Sequence, residues 1–372
     1  MSNPGSDRPS GRDWLARVRA DAPVESFRIL NVCGGHERAI GQAGLRAALP
    51  PSLDVIPGPG CPVCVCPEED VHDAIRLAAE EDITVVAFGD MLDVPINVPR
   101  REPGSLAQAR AAGADVRSIA SPQQAVALAE HMPHRPIVFF AAGFETTMAP
   151  VAAMIDAGMP DNLFMLVAGR RTWPAVQHLL ADGDASFDAL IAPGHVATIM
   201  GAQEWAFVPE QHRIPTAVAG FHAESLLAAI HAVITQHRAG DARLDNQYPE
   251  VVRPDGNVGA RRVLERVFED FDANWRGIGR IPRSGFRLAP AHRGRDARVA
   301  FGLEEHQERR RIGEMPPGCD CARVVLGQIR PNECRLYGTG CRPDHPIGPC
   351  MVSDEGACRI WWQEGVREQG RP

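Results

Sequence analysis

Two groups of cysteines carry the side chains of this 372-residue chain whose type and spacing point most directly to chemistry. Four lie between Cys33 and Cys66, six between Cys319 and Cys358, and none between the groups. The first group opens with Cys33-Gly34-Gly35-His36-Glu37 and continues at Gly58-Pro59-Gly60-Cys61-Pro62-Val63-Cys64-Val65-Cys66-Pro67. Soft thiolates with one imidazole suit iron or zinc, so Cys33, His36, Cys61 and Cys64 form a candidate metal-ligand set. The same spacing leaves two alternatives open. Cys61-x-x-Cys64 suits a dithiol that cycles with a disulfide, and the four residues have the ligand types of a structural zinc site.

The second group reads Cys319-Asp320-Cys321, then Cys334, Cys341, Cys350 and Cys358. Cys319, Cys334, Cys341 and Cys358 fit C-x14-C-x6-C-x16-C. Four thiolates are what a [4Fe–4S] cluster requires. Cys321 and Cys350 are then left over, either as a redox pair beside the cluster or as alternates within its ligand set. A zinc ribbon would favour two short Cys-x2-4-Cys knuckles, and this stretch has none.

Elements able to position these groups recur along the chain. Short β-rich apolar runs fall at residues 27–32, 83–88, 136–141, 162–167, 188–192 and 214–219, several of them continuous, as expected of parallel strands covered on both faces. Between them the chain reads as helix. Ser121-Pro122 looks like an N-cap with proline in the first turn of a helix to about Met132, and Glu224 to Arg238 has helical spacing. A further helix is expected at residues 260–270, after which strand-like runs are scarce and the segment should fold around its cysteines. The alternation implies an α/β fold of two parallel-sheet domains facing a cleft, plus a Cys-rich C-terminal iron–sulfur domain. The expected divisions are a disordered tail at 1–13, domains at 14–132 and 133–240, and the Cys-rich domain at 241–372.

In open α/β sheets, ligands sit at the carboxyl ends of strands. Cys33 and His36 follow the first strand directly, Asp90 follows the run at 83–88, Glu145, Thr146 and Thr147 follow that at 136–141, and His195 follows that at 188–192. The turn before Glu145 opens a helix whose first N–H groups could hold an anion. Each position alone is weak, because a polar residue at a strand end commonly caps or packs. Together they describe one shared cleft, with Cys33, His36, Cys61, Cys64, Glu145, Thr146 and His195 as candidate catalytic residues.

Composition narrows the partners. A formal charge of −8 argues against nucleic acid as a main partner. No apolar run is long enough to span a bilayer, and Met1–Asp13 lacks the apolar region of a secretory signal. A cytoplasmic location is expected, and clustered cysteines there more often hold metals or do redox work than form structural disulfides.

The ordered motifs Cys33–Glu37, Gly58–Pro67, Gly143–Thr147, Pro193-Gly194-His195-Val196 and Pro346–Cys358 resemble the successive signatures of the HypD family of hydrogenase maturation proteins, over nearly the whole chain after Asp13. The resemblance implies a scaffold working with a HypC-like small chaperone and a HypE-like cyanide donor, toward a hydrogenase large subunit. Such a scaffold assembles the Fe(CN)2CO unit of [NiFe]-hydrogenases. It further implies iron held near Cys33, His36, Cys61 and Cys64, fed with electrons from the C-terminal [4Fe–4S] cluster. Departures from the family pattern are Met91-Leu92-Asp93-Val94-Pro95, Gly220-Phe221-His222-Ala223 and Cys66. A stand-alone iron–sulfur thiol/disulfide oxidoreductase and a structural zinc-binding interaction protein are the alternative readings.

Overall fold

The structure, a computed structural model, describes residues 9–80, 82–99, 101–181, 186–303 and 315–367. Its strands are β1 (Phe27–Asn31), β2 (Leu53–Pro57), β3 (Thr84–Phe88), β4 (Val116–Ile119), β5 (Ile137–Gly143), β6 (Leu163–Gly169), β7 (Ala189–Pro193), β8 (Thr216–Ala219), β9 (Leu244–Asn246), β10 (Phe268–Trp275) and β11 (Gly279–Leu288). One sheet has the order β2-β1-β7-β8-β9 and another β4-β3-β5-β6, and both are parallel throughout. The six expected strands are all present. Every position of β5 and of β7 is buried, as a continuous apolar run demands when helices cover both faces.

The sheets do not follow the expected division at residues 132/133. The chain lays down β1 and β2, builds the whole second sheet from β3 to β6, and then returns to the first, where Ile29 pairs with Ala189. A fully buried strand needs a neighbour on each side. The sequence of β7 announces that need without saying which sheet meets it.

Two further expectations are corrected. Residues 1–8 of the expected tail lie outside the described residues, and helix begins at Gly11. There Ser10 and Asp13 close a capping box on each other's backbone N–H groups. The helix expected to reach residue 270 ends at Val267, and β10 and β11 form an antiparallel hairpin where strands were not expected. Ala273 and Trp275 are buried at strand spacing beyond a register shift between Phe271 and Ala273, and at the other end Phe268 meets Phe286 across the pair at 5.6 Å.

Residues 315–367 contain only short helices, among them Cys321–Val325 and Ala357–Gln363. They do pack around their cysteines, but not separately. Cys321, Cys334, Cys341, Cys350 and Cys358 share one buried cluster with Cys61, Cys64, Cys66, Phe144 and Trp275. Among the described residues, no helix is long and apolar enough to cross a membrane.

Candidate functional site

The first cysteine group is assembled by the parallel pairing of β1 with β2, which brings Asn31 level with Pro57. Both strands therefore end at the same height, and both motifs leave from adjacent strand ends. Backbone bonds continue the ladder: Gly58 N–H donates to Asn31 O at 2.8 Å, and Gly34 N–H donates to Gly60 O at 3.0 Å. Glycine is required at 60, since a Cβ there would lie 2.4 Å from the Cys33 nitrogen. Cys33 is the N-cap of helix Gly34–Gln42, and Cys61 is the N-cap of the short helix Pro62–Val65, where its sulfur accepts from Cys64 N–H at 3.2 Å.

Cys61 and Cys64 are joined as a disulfide, with Cα atoms 5.3 Å apart. Cys33 is free. Burial pushes its thiol up to about 12, against the pull of N–H groups from His36 and Gly35. A cavity of about 10 Å³, room for about one water, is bounded by Cys33, Cys61, Cys64, Cys350, Glu37 and Glu355. Cys350 thus brings the second group to the first.

His36 departs from the expected ligand role. It is wholly buried, and both ring nitrogens face oxygen: Nε2 lies 2.9 Å from Ala219 O and Nδ1 lies 3.2 Å from Asn31 Oδ1. Burial lowers its pKa to about 3. A neutral ring holds one proton, so one of these contacts accepts no hydrogen bond, and neither nitrogen points at the cysteines. Phe221 explains the link to His195. Its ring stacks on His195 at 3.6 Å and meets His36 at 4.7 Å, so the two histidines share an aromatic wall.

Glu145 is carried elsewhere. It is buried at the start of helix Glu145–Asp156, where its carboxylate accepts from Thr172 N–H at 2.8 Å and from Thr172 Oγ1 at 2.7 Å. Burial raises its pKa, and one of its bonds comes from its own backbone N–H, so the expected anion site is filled by the residue itself. Its charged neighbours are Arg171 and Glu204. Thr146 is half-buried beside it. Of the strand-end residues expected to share a site, Cys33 borders the cavity, His36 and His195 stand on either side of Phe221, and Glu145 turns to Thr172. Asp90 reaches the cysteine site indirectly, accepting from Ser353 Oγ at 3.0 Å, while Glu355 packs on Gly34.

Glu37, Glu355, Asn31 and Phe221 were not singled out from sequence. Asn31, a polar residue ending an apolar strand, carried a readable signal; Phe221 did not. Glu37 is 2% exposed and accepts from Asn31 Nδ2 at 3.1 Å, from Trp361 Nε1 at 2.9 Å and from Arg46. It ties the helix after Cys33 to the helix containing Cys358.

The second cysteine group brings its thiols together. Cys319 Sγ lies 3.3 Å from Cys321 Sγ, and Cys321, Cys350 and Cys358 exchange thiol hydrogen bonds. Asp320 N–H points at Cys334 Sγ (3.5 Å) and Ile347 N–H at Cys341 Sγ (3.3 Å). A Cβ on Gly348 would come within 2.5 Å of the sulfurs of Cys319 and Cys321. Backbone N–H groups aimed at sulfur suit thiolates that ligate a metal. Among the described residues, no three His, Cys, Asp or Glu side chains converge on a single metal ion. A [4Fe–4S] cluster takes one thiolate per iron and needs no such point. The six thiols are a donor set such a cluster could use, Cys319, Cys334, Cys341 and Cys358 being the expected ligands and Cys321 and Cys350 the alternates.

The HypD family model, described as the hydrogenase formation hypA family, matches residues 11–365. The chain is 37% identical to the hydrogenase expression/formation protein HupD of Azotobacter chroococcum mcd 1, over 98% of this chain and 96% of that protein. It is 38% identical to the hydrogenase maturation factor HypD of Azotobacter vinelandii, with the same coverage. Against the HypD of Escherichia coli (strain K12) it is 36% identical over 92% of this chain and 90% of that one.

Proposed function

The chain belongs to the HypD family of hydrogenase maturation factors, and from that premise we propose that it is the scaffold on which the Fe(CN)2CO unit is assembled. The observation that carries this reading is the cavity bounded jointly by Cys33, Cys61, Cys64 and Cys350. Iron is the cargo. It would be held by Cys33 together with Cys61 and Cys64 once their disulfide is reduced, since thiolates bind low-valent iron and a disulfide does not. His36 acts as a positioning residue: its contacts with Ala219 O and Asn31 Oδ1, one of them a hydrogen bond, hold the turn that presents Cys33.

Cys319, Cys334, Cys341 and Cys358 would hold a [4Fe–4S] cluster, which supplies electrons one at a time. Cys321 and Cys350 would turn such electrons into thiol chemistry. Attack by the Cys350 thiolate on the Cys61–Cys64 disulfide, resolved by Cys321, leaves two reduced thiols at the cavity and a Cys321–Cys350 disulfide. The burial of Cys61, Cys64 and Cys350 around the cavity would limit water there, which protects reactive iron ligands. A HypC-like chaperone and a HypE-like cyanide donor are the partners this reading requires, with a hydrogenase large subunit as recipient, in the cytoplasm.

A second reading, an iron–sulfur thiol/disulfide oxidoreductase, draws on the same disulfide. It requires turnover by the isolated chain. The zinc reading is weaker, because its four donors are a disulfide, one free thiol and a histidine with both nitrogens facing oxygen.

The deciding experiment is anaerobic purification with iron, sulfide and zinc analysis, alone and with the small chaperone. The proposal expects brown protein with about four irons and four sulfides, and cyanide and CO infrared bands when the chaperone is present. Cys33→Ala or Cys64→Ala should remove those bands and leave the chromophore, whereas Cys334→Ala should remove the chromophore. Colourless, zinc-loaded protein without sulfide, even after reconstitution, would refute it.

A further inference from the structure

We propose that Arg276 sets the redox potential of the C-terminal cluster, acting as the buried cation between the two cysteine groups. The inference rests on the cluster reading above. Arg276 sits at the tip of the β10–β11 hairpin, and that tip is wedged between both groups. Its backbone N–H donates to Val65 O at 3.0 Å, inside the first cysteine loop. The next residue, Gly277, has a φ of 69°, and a Cβ there would lie 2.9 Å from Cβ of Ala322, the neighbour of Cys321. Arg276 is close enough for its charge to bear on the thiols of both Cys319 and Cys66.

Its side chain has no exposed surface. Nη2 donates to Glu68 Oε1 at 2.8 Å and to Pro95 O at 2.6 Å, but Nε and Nη1 have no partner. A guanidinium always carries its charge and brings five N–H donors, and buried donors are ordinarily satisfied. Glu68 supplies one negative charge, and the same oxygen also accepts from Asn97 N–H at 3.2 Å. Three uncommitted cationic N–H donors, one on Nε and two on Nη1, fit an acceptor that is itself anionic.

A cluster held by four thiolates is such an acceptor, and it gains a further negative charge on reduction. A fixed cation in a low-dielectric interior favours the more negative state. Hydrogen bonds and charges around a cluster are the levers by which a protein tunes it. Arg276 therefore makes the cluster easier to reduce, and Glu68 restrains that effect.

The test uses the full chain, purified anaerobically, as wild type, Arg276→Gln, Arg276→Lys and Glu68→Gln. Iron and sulfide are measured first. The cluster is then titrated with dithionite in the presence of redox mediators and followed by electron paramagnetic resonance. At the wild-type midpoint, Arg276→Gln should lower the reduced-to-oxidised ratio about tenfold, a 59 mV fall for one electron. Arg276→Lys should recover much of the loss. Glu68→Gln should move the potential upward, a sign that a merely structural role would not produce.

Unchanged potentials, or both charge variants shifting the same way with clusters intact, would overturn the inference and leave the cluster reading standing. If Arg276→Gln does not load, the Glu68→Gln shift decides: upward supports the inference, and unchanged or downward overturns it. Wild type without iron and sulfide after reconstitution would overturn the cluster reading and this inference with it.

Discussion

Replacing Glu37 with glutamine breaks the carboxylate that joins the two cysteine-bearing segments, and the structure allows its cost to be worked out. Oε1 accepts from Trp361 Nε1 and from Arg46, and Oε2 accepts from Asn31 Nδ2. A glutamine that keeps its oxygen toward Trp361 and Arg46 turns its NH2 toward the Asn31 donor. The flipped amide faces two donors, which is worse. The substitution also removes one charge of a buried pair, a change that costs about 3–5 kcal/mol. Arg46 keeps Glu364 at 2.7 Å and Asn31 keeps Cys33 O at 3.1 Å, which places the loss at the low end, about 3 kcal/mol. Trp361→Phe removes one hydrogen bond to a charged acceptor that retains its other partners, about 1.5 kcal/mol. Glu37→Gln keeps an oxygen toward Trp361 but neutralises it, so Trp361→Phe should cost less in that background than in the wild type, about 1 rather than about 1.5 kcal/mol. Urea unfolding of the four proteins, followed by tryptophan fluorescence and circular dichroism, measures the cycle. A Glu37→Gln loss below about 1 kcal/mol, or strictly additive losses, would refute the idea that this carboxylate clamps the segments together.

Other consequences are as direct. Gly60→Ala forces a methyl against the Cys33 backbone, which cannot move aside as a side chain tip can, so a loss of about 3 kcal/mol is expected in the same unfolding assay. Burial, with Glu145 nearby, pushes the Glu204 carboxyl up to about 8. A folded-state pKa raised above the unfolded one gives stability that is full at acid pH and lost as pH rises toward 8. The slope is at most about 1.4 kcal/mol per pH unit. Glu204→Gln should flatten melting temperature against pH between 5 and 9; an unaltered slope would show that another group titrates. Cys350→Ser should slow reduction of the Cys61–Cys64 disulfide when reductant is supplied through the cluster, as read by alkylation and mass spectrometry; an unchanged rate would mean that Cys350 carries no thiol exchange.

Much of the site was legible locally because its signals are local. Several of the apolar runs, β5 and β7 among them, are continuous, so burial on both faces could be read from each of those alone. The motifs at their ends placed Cys33 and His195 correctly beside strand termini. β2 was missed, although Leu53–Pro57 is the strand that sets Cys61 beside Cys33; five residues closed by proline carry too little periodicity to stand out. The β10–β11 hairpin was missed because its helix-like lead-in, Val258–Val267, runs into it with no glycine or proline to mark the change.

What the sequence determined by itself is the chemical inventory: thiols in two groups, histidines and carboxylates at strand ends, and glycines where backbones must approach. What only the tertiary structure decided is which of these meet. Cys350 leaves its own group to line the cavity of the first, His36 gives both nitrogens to oxygen, and Glu145 turns to Thr172. Periodicity reports that a side chain is buried, never against what. Apart from Asn31, those partners lie tens to hundreds of residues away, and the meeting of His36 with Ala219 depends on a chain that leaves the first sheet, builds the second and comes back.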